Sequence, residues 1–139
     1  MNDLYHNLDI RVAIPSALST DDTPLVSSII DLANREGCVF SINVGTIDDA
    51  NATFVVLVED GNDSALGDNA AVADAYLHNT EAAAAFTFAN DGVVRTIGYH
   101  GPKRYVRLTI TPSGNSANPT GARIGATAIL GTGRKHPLA

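Results

Sequence analysis

With 139 residues, the chain is long enough for one domain that buries its own hydrophobic core, so it needs no metal or disulfide for stability. Its single cysteine, Cys38, excludes an intramolecular disulfide and alternates in phase with Phe40 and Ile42, which predicts a core residue. No apolar stretch approaches the roughly 20 residues that a membrane helix needs, and the first residues lack the pattern of a signal peptide, so we expect no membrane partner.

The net charge of −6 conceals a strong asymmetry along the chain. All 15 acidic residues lie between Asp3 and Asp91, whereas seven of the nine basic residues lie from Arg95 onward. Two interpretations remain open: neighbouring strands pair these charges, or opposed faces dock neighbouring copies or an acidic protein lattice. The basic residues are not interleaved with exposed aromatic residues and form no recognised module, which argues against nucleic acid as a partner.

The first part of the chain predicts short strands. Residues 1–8 are polar and predict a flexible arm. The alternation of Asp9–Ile14 predicts a strand that Pro15 ends. Residues 25–35 are ambiguous, because their apolar spacing after Thr23-Pro24 favours a helix whereas their β-branched residues allow a strand. We predict a strand there, since the surrounding sequence is β-like.

Four further elements follow in the middle and at the end of the chain. Cys38–Val44 alternates and predicts a strand, and the nearly apolar Thr53–Asp60 predicts a central strand covered on both sides. Residues 80–88 begin with Thr80 as a helix cap and a run of alanines, which predicts a short helix before a β-like end. Ala122–Leu130 predicts a last strand with alternate residues inward.

The stretch Val93–Thr111 predicts a β-hairpin, because both of its arms alternate with period two around a turn at residues 100–103. In the second arm, Val106, Leu108 and Ile110 suit a buried face. The opposite face carries a phenol, a guanidinium and two hydroxyls, which suit water or a partner.

Seven or eight short strands with a turn signal about every ten residues predict an all-β fold. We expect a single-domain antiparallel β-sandwich or a jelly-roll-like small barrel with at most one short helix. The domain spans residues 1–139, with a flexible N-terminal arm at about 1–8 and a basic C-terminal tail at about 131–139.

Residues that could carry chemistry are scattered. His6, His78, His100 and His136 fall in an arm, a loop, a turn and a tail, without the spacing of metal ligands. The acidic turns at 48–49 and 60–63 lack the spacing of a calcium-binding EF-hand loop. We therefore predict a protein that is not an enzyme and has no catalytic residues, metal site, cofactor or small-molecule substrate.

The remaining candidates are surface residues. Lys103, Arg104 and Arg107 surround Tyr105, a composition enriched where proteins meet, although a solvated hairpin tip would look the same. Arg134 and Lys135 lie in the basic tail, which would either order on a partner or stay free. The predicted interface residues are Lys103, Arg104, Tyr105, Arg107, Arg134 and Lys135.

Four segments of the chain carry a resemblance: residues 29–47 (IIDLANREGCVFSINVGTI), 54–63 (FVVLVEDGND), 97–111 (IGYHGPKRYVRLTIT) and 128–131 (AILG). They resemble small virion proteins encoded in the head-gene region of tailed bacteriophages. The resemblance covers about residues 24–134, and its most specific piece is the block Gly98-Tyr99-x-Gly101-x-Lys103-Arg104-Tyr105-Val106-Arg107.

This resemblance implies a head decoration, or cement, protein that is made in the host cytoplasm and incorporated into the virion. Such proteins are β-rich, often homotrimeric, and bound to the outside of the lattice that the major capsid protein forms. Two alternatives are a tail or head-tail connection component and a carbohydrate-binding module for host attachment. The absence of tryptophan weighs against the carbohydrate-binding alternative, because sugar platforms are usually exposed aromatic faces.

Overall fold

The computed structural model describes residues 3–116 and 120–131 and shows an all-β sandwich of two antiparallel sheets. In chain order the strands are β1 (Asp9–Ser19), β2 (Leu25–Val26), β3 (Ile30–Asp31), β4 (Cys38–Ile47), β5 (Thr53–Gly61), β6 (Ala70–Ala71), β7 (Leu77–His78), β8 (Phe86–Thr87), β9 (Val94–Tyr99), β10 (Tyr105–Ser113) and β11 (Ala122–Leu130). A short helix, α1 (Glu81–Ala84), lies between β7 and β8, and 3-10 turns span Asp74–Tyr76 and Phe88–Asn90. The predicted fold class is confirmed as a sandwich.

The first sheet has the strand order β1-β11-β4-β9-β7. The second sheet has the order β2-β10-β5-β6, with β3 also pairing with β10 and β8 also pairing with β5. Strands that are distant in sequence are therefore neighbours in both sheets, as when β11 joins β1 to β4. Within the described residues, no helix is long and apolar enough to cross a membrane.

The core lies between the two sheets and consists of the inward residues of alternating strands. Cys38 and Phe40 of β4 are buried, as are Val106 and its alternate neighbours in β10. In β11 the predicted inward set is confirmed, because Ala122, Ile124, Ala126, Ala128 and Leu130 are all buried. Phe54 and Phe86 stack in this core with ring centroids 4.8 Å apart, which holds β8 against the sandwich interior.

The predicted hairpin at Val93–Thr111 is wrong, although both of its strands exist. The first arm, β9, pairs with β4 and β7 in the first sheet. The second arm, β10, pairs with β5 over nine residues in the second sheet. The connecting turn thus crosses from one sheet to the other, and β10 gains nine pairs with β5 where the six residues of β9 could offer at most six.

The first strand is longer than predicted. It continues through Pro15 to Ser19, with register shifts between Val12 and Ile14 and between Ile14 and Ala17. A proline is tolerated there because β1 is an edge strand, where a missing N–H removes no ladder bond, and because the bulges absorb the change in register.

Two more predictions are confirmed only in part. Residues 25–35 form strands and no helix, but only as the two short segments β2 and β3 beside β10. The strand β5 is central, yet the prediction that it is covered on both sides is wrong, because the outward Val55 is 58% exposed.

The predicted cap of the short helix is confirmed. The Thr80 hydroxyl oxygen accepts a hydrogen bond from the Ala83 N–H at 3.0 Å, and the β-like end of this segment forms β8. One helical carboxylate also supports the second sheet, since Glu81 Oε1 accepts a bond from the Val58 N–H at 2.8 Å. This bond satisfies the Val58 N–H on the edge of β5 that faces away from β10. It lies between the residues that pair with β6 and those that pair with β8, where no strand pairs with this edge.

Candidate interaction surfaces

The structure brings four of the predicted interface residues together where β10 begins. Tyr105 and Arg107 project outward because Val106 and Leu108 between and beside them are buried. Lys103 and Arg104 lie in the turn that precedes the strand. We call these four residues the β10 patch. The other two predicted residues, Arg134 and Lys135, lie outside the described residues.

The two arginines of the β10 patch are paired within the chain. Arg104 donates to Asp31 through Nε to Oδ1 at 2.8 Å and through Nη2 to Oδ2 at 3.0 Å. Its guanidinium also lies 5.1 Å from the centroid of the Tyr105 ring. Arg107 Nη2 donates to Glu59 Oε1 on the neighbouring strand at 3.0 Å. The interpretation that neighbouring strands pair the charges therefore holds at this patch.

Guanidinium groups lower the pKa values of the carboxyls to which they donate. The hydrogen bond from Arg104 lowers the pKa of the Asp31 carboxyl. A second group of charges shows the same effect. The hydrogen bonds from Arg11 and then Arg35 lower the pKa of the Asp9 carboxyl. Arg11 and Arg35 both donate to Asp9 Oδ2, at 2.7 and 3.1 Å.

A buried polar contact fixes the turn that carries the patch. The Tyr99 hydroxyl donates to Asp60 Oδ2 at 2.7 Å and accepts from the Lys103 N–H at 3.2 Å. Tyr99 is 2% exposed, and its burial, followed by the bond to Asp60, raises the pKa of its phenol. The turn folds directly over this ring, since a Cβ at Gly101 would lie 2.6 Å from the Tyr99 hydroxyl oxygen. The β10 patch is thus built on a rigid support.

A polar cleft of about 440 Å³ lies next to the patch, between the turn at residues 32–37 and the turn at residues 101–104. Lys103 and Arg104 line it together with Arg35 and Glu36. The lining includes three cations and one carboxylate, and two of the cations, Arg35 and Arg104, are held by Asp9 and Asp31.

A second surface, which alternation along single strands does not reveal, is the outer face of the first sheet. The exposed Arg123 of β11 lies at one end of this face. The three central rows of the face consist of outward residues of four neighbouring strands: Ile10 and Val12 of β1; Gly125, Thr127 and Ile129 of β11; Val39, Ser41 and Asn43 of β4; and Val94, Thr96 and Gly98 of β9. These eleven residues include no Asp, Glu, Lys or Arg, and we call them the neutral face. Ile10 and Val12 are 65% and 62% exposed, so apolar surface lies open on it.

Two histidines that are distant in sequence meet at one edge of the neutral face. The pairing of β7 with β9 places His78 opposite Gly98, and the His78 and His100 rings lie with centroids 4.2 Å apart. They line a shallow depression of about 270 Å³ together with Val39, Ile129 and Glu36. Among the described residues, no group of three or more His, Cys, Asp or Glu side chains could hold a metal ion.

Cys38 lies beneath this depression and is shielded from solvent. Burial raises the pKa of its thiol to about 12, so the thiolate needed for nucleophilic chemistry is strongly disfavoured. The predicted role of Cys38 as a core residue is confirmed.

Neither a protein-family model nor a curated protein sequence matches the chain. Among solved structures, it is similar to a family two carbohydrate esterase from Cellvibrio japonicus, with 13% identity, a TM-score of 0.38 and coverage of 94% of this chain and 32% of that one. It is similar to dimeric latent PorU from Porphyromonas gingivalis, with 10% identity, a TM-score of 0.43 and coverage of 94% and 13%.

A third similar structure is the C-terminal family 22 carbohydrate binding module of Clostridium thermocellum Xyn10B, with 11% identity and a TM-score of 0.41. Here the alignment covers 96% of this chain and 90% of the other. The chain spans less than a third of the length of the esterase and about an eighth of PorU. Likeness at these values bears on neither the substrate nor the partner of this chain.

Proposed function

We propose that the protein is a structural virion protein that decorates the outside of a tailed-phage capsid and stabilises its lattice. The observation that supports this proposal is the form of the block Gly98–Arg107, the most specific piece of the resemblance. Tyr99 anchors the block in the core, and Gly101 lets the turn close over the Tyr99 ring. The block therefore forms a rigid exposed corner with a mixed cationic and aromatic surface.

A rigid corner of this kind suits binding without chemistry. The bonds from Arg104 to Asp31 and from Arg107 to Glu59 hold both guanidinium groups in fixed positions before any partner arrives, which reduces the ordering cost of association. On a capsid the same contact would repeat at every equivalent site of the major capsid protein. Many modest links acting together would then resist the internal pressure of packaged DNA.

The test is co-sedimentation of the purified protein with heads of the source phage, with the bound copies counted per head. We expect saturable binding on the order of hundreds of copies, as a repeated lattice site requires. A triple variant, Lys103→Ala with Arg104→Ala and Arg107→Ala, should lower head binding while circular dichroism shows a folded protein. The control variant Val55→Ala truncates an exposed, uncharged side chain on the same sheet and should bind like the wild type.

Other outcomes would assign other functions. Binding at a handful of copies per head would replace decoration with a tail or head-tail connection role. No binding to heads, together with binding on a glycan array, would replace it with a carbohydrate-binding module for host attachment. The resemblance also implies a homotrimer, and the mass of the purified protein in solution tests that expectation separately.

A further inference from the structure

We infer that the neutral face is an interface between copies of this chain, in which the face of one copy packs on the same face of a second copy. This inference goes beyond the proposed function and does not depend on it. It starts from the contrast between the outer faces of the two sheets. The second sheet carries the ion pairs Arg107–Glu59 and Arg104–Asp31, whereas the neutral face has no charged residue.

The charge of the whole molecule favours a second copy as the occupant. Two copies that each carry a net charge of −6 repel each other over most of their surfaces. The neutral face is the exception, because it can meet its own copy without burying a like-charged or unpaired group. Its hydroxyl and amide side chains, on Ser41, Asn43, Thr96 and Thr127, can donate to and accept from their own counterparts.

The two ends of the neutral face fix one orientation of the pair. Glu36 lies at the end where β4 begins, in the depression beside Val39 and Ile129. Arg123 lies at the opposite end, exposed on β11 beside Gly45 of β4. A two-fold axis that lies between the faces and runs across the strands brings the Glu36 end of one copy onto the Arg123 end of the other. The pair then sets Glu36 of each copy near Arg123 of the other.

The available area is a little over half of what a standard interface buries, before side chains are counted. Seven residues of β4, from Val39 to Gly45, span roughly 23 Å, and the four strands of the face span roughly 19 Å, which gives a flat footprint of about 440 Å² per copy. Side-chain relief adds to this value, and so do Leu4 and Tyr5, which are 64% and 87% exposed beside Ile10. A standard interface buries about 800 Å² per partner. A two-fold pair gives a dimer, in place of the trimer that the resemblance implies.

The test is sedimentation velocity of the full chain alone, over a concentration series from micromolar to millimolar. The wild type should show a monomer–dimer equilibrium. Val12→Glu, in the middle row of the neutral face, should weaken dimerisation by more than about tenfold, because it brings two carboxylates together near the two-fold axis.

Val55→Glu is the matched control on the second sheet, with 58% exposure against 62% for Val12, and should leave the dimer unchanged. Thr96→Glu, in the same row as Val12, replaces Val12→Glu if that variant does not fold.

A charge exchange tests the orientation. Glu36→Arg alone should weaken the dimer, and Glu36→Arg combined with Arg123→Glu should restore it, which a merely local effect of either substitution would not do. A chain that stays monomeric at millimolar concentration, or that forms a trimer, overturns the inference. So does a dimer that Val55→Glu breaks and Val12→Glu does not. Since no heads are present, these results are independent of whether the protein binds capsids.

Discussion

At the scale of single residues, Tyr99 is the side chain on which the corner depends most directly. Replacing it with phenylalanine removes the bond to Asp60 Oδ2 at 2.7 Å and leaves a largely buried carboxylate without this donor. We expect Tyr99→Phe to lower the free energy of unfolding by about 1–3 kcal/mol, the usual cost of an unsatisfied buried group. Urea unfolding measures this difference. Tyr105→Phe is the control, because the Tyr105 ring lies on the outer face, and an equal loss in both variants would contradict the role of the buried bond.

The same residue predicts a loss of stability at alkaline pH. Burial and the bond to Asp60 raise the pKa of Tyr99 above its ordinary value, which is about 10. Between the two pKa values the folded chain keeps the phenol proton and the unfolded chain loses it, so unfolding is favoured by about 1.4 kcal/mol per pH unit. The contribution of Tyr99 to stability should therefore be unaffected below about pH 10 and should fall above it. In Tyr99→Phe this fall should be shallower, and unchanged steepness would show that other groups cause it.

At the scale of secondary-structure elements, the edge of β5 depends on a side chain of the helix. The Glu81 carboxylate accepts a bond from the Val58 N–H where no strand is adjacent. Glu81→Ala should destabilise the fold by about 1–3 kcal/mol, because it leaves that N–H without its acceptor. Glu81→Gln keeps an oxygen at the same position and should lie close to the wild type in urea unfolding. Equal losses in the two variants would mean that the charge matters and the acceptor does not.

The turn between β9 and β10 gives a second prediction at this scale. A Cβ added at Gly101 would lie 2.6–2.7 Å from atoms of the Tyr99 side chain, a contact that a packed ring can relieve only by moving. Gly101→Ala should therefore destabilise the protein by about 1–3 kcal/mol. Gly131→Ala is the control, since a Cβ there meets nothing within 4 Å. A tolerated Gly101→Ala would be expected of a hairpin with an open turn and would contradict the crossing from sheet to sheet.

This turn also shows how far the sequence could predict the fold. Alternation in Val94–Tyr99 and Tyr105–Ser113 identifies two strands and their buried sides, because burial follows from period-two patterning. It cannot identify their partners, since a hairpin and a crossing between sheets bury the same alternate residues. The partners are chosen by long-range pairing, as when β10 matches nine residues of β5.

The candidate surfaces were predictable to different degrees for the same reason. The β10 patch lies within a few consecutive residues, so its composition could be read along the chain, but the pairing of Arg104 with Asp31 joins residues 73 positions apart. The neutral face is assembled from strands β1, β4, β9 and β11, whose order in the sheet is not encoded locally. Only after that order is known do Ile10, Val39 and Ile129 become neighbours.

At the scale of the whole molecule, two cations of the basic part of the chain pair with carboxylates of the acidic part. Asp9 and Asp31 in the acidic part bind cations near the start and near the end of the chain, and Glu59 binds Arg107. The charge asymmetry of the sequence is therefore reduced on the folded surface. A partner would meet the paired Arg104 and Arg107 on the second sheet and the uncharged neutral face on the first, so the two surfaces should respond differently to salt and to substitution.

Added salt should distinguish the two surfaces. In the wild type, the proposed binding to phage heads should depend only weakly on ionic strength, because Arg104 and Arg107 already hold carboxylates and long-range fields are screened beyond about 8–10 Å. Asp31→Asn combined with Glu59→Gln releases both guanidinium groups and should make head binding fall more steeply with added salt. Co-sedimentation at several salt concentrations measures both slopes. Dimerisation through the neutral face should keep the same salt dependence in both proteins, since neither substitution lies on it. Equal slopes for head binding would mean that the β10 patch does not face the capsid.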